Sequence, residues 1–112
     1  IGMKIISILE NSIKANVEKM RPPIEIRNQL DLGYSFEKNV LILFEIRPSF
    51  MDESIIMNIE FAKARYYKSQ EKWKIYWKLA NQKWELYEVE QVSNIDDFFK
   101  VVNEDKHGCF FG

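Results

Sequence analysis

The sequence is poor in the residues that most catalytic and metal-binding signatures require. Its 112 residues include one cysteine, Cys109, and one histidine, His107. A lone cysteine cannot close an internal disulfide, so the expected setting is a reducing, cytoplasmic one. Zinc wants three or four Cys, His or carboxylate ligands, and His107 with Cys109 is an isolated pair. A Ser-His-acid triad would have to use His107, and no serine sits in a nucleophile-elbow pattern. The four glycines, Gly2, Gly33, Gly108 and Gly112, are scattered, which excludes a glycine-rich phosphate loop and a dinucleotide fingerprint. There is no long apolar run and no signal-peptide pattern, so no membrane association is expected. Ile1 and Gly2 precede Met3, which reads as the natural start. With 16 Lys plus Arg against 17 Asp plus Glu, bulk positive charge cannot drive nucleic-acid binding, although a local basic patch still can.

What the chain does have is core material: 46% hydrophobic and 14% aromatic residues, enough for one folded domain. Ile6, Leu9, Ile13, Val17 and Met20 recur at helical spacing, and Arg21-Pro22-Pro23 ends that helix. From Leu30 to Phe36 the period changes to two, as in a strand with one buried face. Glu37-Lys38-Asn39 reads as a three-residue turn, followed by an apolar strand, Val40 to Arg47, covered on both faces. That turn length places Val40, Ile42, Phe44 and Ile46 on the apolar face of the first strand and Asp31 opposite Glu45. Further strands are expected at about Ile59 to Tyr67, Trp73 to Lys78 and Lys83 to Val89. Trp73, Ile75, Trp77 and Trp84 are assigned to the core. Ser93 is placed as the cap of a last helix with the stripe Ile95, Phe98, Phe99 and Val102. The expected architecture is a single α+β domain over residues 3–112: an antiparallel meander of about five strands with an N-terminal and a C-terminal helix packed on it.

Two constellations carry chemistry. Asp31 with Glu45-Ile46-Arg47 is similar to the PD-(D/E)xK nuclease pattern, in which carboxylates hold Mg²⁺ or Mn²⁺; Asp31 and Glu45 would be the metal ligands and Arg47 the third member of the catalytic set. Arginine stays protonated and serves poorly as a base, and the simpler reading is a cation balancing two carboxylates across a strand pair. The second constellation runs from Phe61 to Trp84, where Lys63, Arg65, Lys68, Lys72, Lys74, Lys78 and Lys83 meet only Glu71. Alternation puts Lys63 and Arg65 on one face of their strand, and Lys74, Tyr76 and Lys78 opposite the tryptophans. Such a surface suits phosphate contacts from Lys63, Arg65, Lys74, Lys78 and Lys83, with stacking on Tyr76. The alternative is a solvated outer face whose lysines protect a sheet edge.

Five segments taken together, Arg21-Pro22-Pro23, Phe44-Glu45-Ile46-Arg47-Pro48, Ala62-Lys63-Ala64-Arg65-Tyr66, Trp73-Lys74-Ile75-Tyr76-Trp77 and Asp105-Lys106-His107-Gly108-Cys109-Phe110-Phe111-Gly112, resemble the bacterial family grouped as domain of unknown function 3024. The resemblance spans about Met20 to Gly112. It implies a small bacterial protein and carries over no catalytic residue.

The leading expectation is a non-enzymatic binding module without a cofactor, whose basic sheet surface meets nucleic acid or an acidic protein. The alternatives are a metal-dependent nuclease or a degenerate relative, and a structural homodimer joined through the tail and first helix. In the tail, Phe110 and Phe111 are adjacent, and only one of the two can point into its own core.

Overall fold

The apolar stripe Leu9, Ile13, Val17 and Met20 stops where Pro22 removes a backbone donor, and helix α1 accordingly spans Gly2–Met20. In the computed structural model the backbone is described for residues 2–111, and side chains for 8–87 and 91–111. The side chain of Ile6 and the residue Gly112 therefore lie outside the described residues. A 3-10 turn, Ile24–Ile26, follows α1. Five strands come next: β1 Asp31–Glu37, β2 Val40–Pro48, β3 Ile56–Tyr67, β4 Lys72–Lys78 and β5 Trp84–Val92. Helix α2, Ile95–Glu104, completes the chain. The sheet is an antiparallel meander in the order β1-β2-β3-β4-β5, so the α+β architecture is the one the periodicity predicts.

The first hairpin departs from expectation. Its turn has two residues, Lys38 and Asn39, both with positive φ (50° and 66°), which suits the right-handed twist of the flanking strands. Asp31 therefore pairs with Ile46, Tyr34 with Leu43 and Phe36 with Leu41. A slip of one residue exchanges every side chain between faces. Leu41 and Leu43 are the β2 residues in the core, at 0% and 2% exposure, while Val40, Ile42, Phe44 and Ile46 lie on the other face. That face carries no helix, so β2 is covered on one side only. Gly33 belongs to it: a Cβ there would stand 2.8 Å from Phe44 Cε1 and 3.1 Å from Ile46 Cδ1, so the glycine makes room for these two side chains.

A bulge in β3 sets Leu43 against Ala62 and Phe44 against Glu60, leaving Phe61 as the extra residue. Phe61 and Ala62 are in consequence both buried on the helix side. Ala64, Trp73, Ile75 and Tyr87 extend the same face, and Ile13 and Val17 from α1 with Ile95, Phe98, Phe99 and Val102 from α2 cover it. The cap of α2 is Asn94, whose Oδ1 accepts from the Asp97 N–H at 2.9 Å, not Ser93. The Ser93 hydroxyl is engaged elsewhere, accepting from Lys72 Nζ at 2.7 Å. After α2, Asp105 turns the tail back: its carboxylate accepts from the backbone N–H groups of Phe110 and Phe111 at 3.0 and 2.9 Å. Phe110 is buried with its ring 5.0 Å from that of Tyr87, whereas Phe111 is half-exposed against Phe61. No helix among the described residues is long and apolar enough to cross a membrane.

Candidate nucleic-acid interface

Because both helices pack on the Leu41, Ala64 and Ile75 face, the opposite face of the sheet is left uncovered by secondary structure. Strand alternation brings Lys63, Arg65, Lys74, Tyr76 and Lys78 together there. Lys63 pairs with Tyr76 and Arg65 with Lys74 across the β3–β4 ladder, as the alternation predicts. Lys83 is not part of this group; it lies exposed at the β4–β5 turn, its backbone N–H bonded to Asn81 Oδ1.

Two aromatic residues that the sequence reading did not select complete the face. Tyr67 ends β3, and its hydroxyl is 3.0 Å from that of Tyr76. Trp84, expected in the core, stands opposite Lys78, with Lys78 Nζ 4.6 Å and Lys63 Nζ 5.0 Å from its ring. Lys63 Nζ also lies 4.6 Å from the centre of the Tyr76 ring. Lys74 Nζ and the Arg65 guanidinium approach the Tyr67 ring at 4.6 and 5.6 Å. Ring faces are negative, and such contacts hold cations in place without neutralising them.

Among the described residues this face carries more cations than carboxylates. Arg65 and Lys74 are directly opposite one another, an arrangement that destabilises a strand pair. Lys78 is paired with Glu60 at 2.9 Å, but no described carboxylate is within ion-pair distance of Lys63, Arg65 or Lys74. Burial, followed by repulsion from Arg65, pulls the Lys63 ammonium below the usual lysine range. Burial pushes the Tyr76 phenol up to about 12, and the hydrogen bond with Tyr67 adds to that. The same bond, with Arg65, Lys74 and Lys63 nearby, draws Tyr67 down.

The carboxylate constellation of Asp31, Glu45 and Arg47 is not assembled as expected. The register sets Asp31 against Ile46 and Glu45 against Leu32, adjacent positions that alternate to opposite faces. Asp31 is instead clamped by Arg21, whose Nε and Nη2 donate to the two carboxylate oxygens at 2.9 and 2.8 Å. That fork holds the Asp31 carboxyl below its ordinary value, so its contribution to stability is present at neutral pH and lost as pH falls through the depressed value. Glu45 lies 3.9 Å from Arg47, two residues along the same strand, so one cation balancing both carboxylates across the strand pair is found for Glu45 but not for Asp31. Among the described residues no group of three Cys, His, Asp or Glu side chains is placed to hold a metal ion. The His107 ring lies 6.1 Å from that of Tyr87, and Cys109 is half-buried. A cleft of about 440 Å³ opens between α1, the start of α2 and the sheet, lined by Leu9, Tyr66, Trp73 and Ile95, on the helix side away from the cations.

The fold and surface define a class: a five-stranded antiparallel meander with two helices on one face and a basic, aromatic opposite face. The chain belongs to the family described as Domain of unknown function (DUF3024), whose model matches residues 4–112. No curated protein and no solved structure matches it.

Proposed function

We propose that the protein is a binding module whose open sheet face takes single-stranded nucleic acid. Lys63, Arg65, Lys74 and Lys78 contact phosphates, and Tyr67, Tyr76 and Trp84 offer ring surfaces to unstacked bases. The observation that carries this reading is the Arg65–Lys74 pair, opposed across the ladder above one tyrosine ring with no described carboxylate beside it. Repulsion of that kind is relieved by a bound anion, and a phosphodiester chain supplies anions at about the spacing of alternate, same-face residues on a strand. Stacking favours nucleic acid over an acidic protein, because Tyr67, Tyr76 and Trp84 are side by side with the cations. Phosphate beside Lys63 also favours its charged form, so binding is accompanied by proton uptake where that ammonium titrates, and affinity falls as the pH rises through that range.

Fluorescence anisotropy with a labelled mixed-sequence single-stranded oligonucleotide tests the proposal. Three or four phosphate contacts give a log–log slope of affinity against salt of about −2 to −3. An oligonucleotide that fails to bind at low salt removes nucleic acid as the ligand, and binding of an acidic polypeptide in its place would move the assignment to an acidic protein.

A further inference from the structure

Strand β3 outruns its neighbour. It pairs with β2 from Ile56 onward, but β4 meets it only between Ala62 and Tyr67. From Ile56 to Glu60 the edge facing away from β2 has no strand beside it among the described residues. On the far side, β1 reaches only Ile46, so residues 47–57 stand out from the sheet as a two-stranded arm. An arm of two strands is marginally stable in water by itself. Beside the exposed Arg47, Asp52 and Glu53 it presents five exposed apolar side chains: Ile55, Ile56 and Met57, with Phe50 and Met51 at the tip 102% and 90% exposed. Soluble proteins guard free edges with lysine, proline or inward charge. Ile56-Met57-Asn58-Ile59 has none of these, and the next residue, Glu60, is held by Lys78.

We infer that this edge is an interface with a second copy of the chain, in which the two β3 edges pair antiparallel about a two-fold axis through Asn58. An uncovered backbone edge is satisfied by another strand, and here the strand that fits is the same one. Centred on Asn58, the register sets Met57 of each copy against Ile59 of the other on one face, and the two Asn58 amides against each other on the opposite face. Glu60 faces Ile56 of the second copy, so no like charges are opposed. Pairing of this kind joins the two sheets into one, with both uncovered faces on the same side. The inference is independent of ligand: the mass of the assembly is measured without nucleic acid.

Analytical ultracentrifugation of the full chain across sub-millimolar concentrations is expected to give twice the monomer mass at the upper end. Asn58→Lys, which sets two ammonium groups against each other at the axis, raises the dimer dissociation constant at least tenfold. Asn58→Cys brings two thiols across the axis at Cα separations of about 4.5 to 5.5 Å, within disulfide reach, so mild oxidation yields a covalent dimer much faster than for Lys100→Cys on the exposed side of α2. A monomer at every concentration, an Asn58→Lys dimer as tight as the wild type, or equal cross-linking of the two cysteine variants overturns the inference.

Discussion

Leu41→Ala is expected to cost about 2 to 5 kcal/mol of stability, and Ile42→Ala well under half of that. The two residues are adjacent and almost equal in size, so only the face of the sheet separates them. Leu41 is fully enclosed by β1, β3 and the helix layer, and truncation leaves a cavity in a packed interior. Ile42 is half-buried on the helix-free side opposite Lys63, where neighbouring side chains and water fill the space that truncation opens. Urea denaturation of the two variants reads the hairpin register directly. A larger loss at Ile42 than at Leu41 would restore the three-residue turn and exchange the two faces of β1 and β2.

The double variant Arg65→Glu/Lys74→Glu is expected to lower oligonucleotide affinity about a hundredfold or more, with the melting temperature little changed. Each charge-assisted contact is worth about 1.5 to 3 kcal/mol, and two are removed here, with repulsion put in their place. The fold has little reason to suffer, because the pair is mutually repulsive in the free protein and neither member has a described ion-pair partner. Lys78→Glu would be a poorer probe, since Lys78 is largely covered and bonded to Glu60. Undiminished affinity in the folded double variant would move the binding surface off this face.

Most of the architecture was legible because single residues enforce it. Pro22 and Pro23 end α1, the Ile95, Phe98, Phe99 and Val102 stripe admits only a helix, and Trp73, Ile75 and Trp77 alternate with Lys74, Tyr76 and Lys78 clearly enough to orient β4. That alternation and the Lys63–Arg65 spacing put Lys63, Arg65, Lys74, Tyr76 and Lys78 on one surface, as the ladder has them, but do not place Lys83, which belongs to the β4–β5 turn. The β1–β2 register was not legible. Val40 to Phe44 is apolar at every position, so its pattern does not say which side is inward, and the decision falls to the turn. There a lysine takes the left-handed conformation that sequence patterns reserve for glycine or asparagine. Trp84 was missed for a related reason, whereas Tyr67, two residues beyond Arg65 on β3, follows from plain alternation. The β4–β5 ladder shifts register between Lys74 and Tyr76, so counting along β5 does not reveal that Tyr87, and not Trp84, points inward. Asp31 was drawn to Glu45 by proximity in the hairpin, whereas its partner, Arg21, comes from the end of α1.

A two-dimensional ¹⁵N NMR titration of the wild-type protein with a single-stranded oligonucleotide tests the central claim most directly, because the indole N–H groups report both sides of the sheet. Trp73 is buried beneath the helices and Trp84 lies among the cations of the open face. The expected result is a progressive, salt-sensitive shift of the Trp84 indole signal together with the backbone amides of Lys63, Arg65, Tyr67, Lys74 and Tyr76, while the Trp73 indole stays in place. Shifts confined to Trp73 and the helix residues, with Trp84 unmoved, would contradict the assignment of the open face as the binding surface.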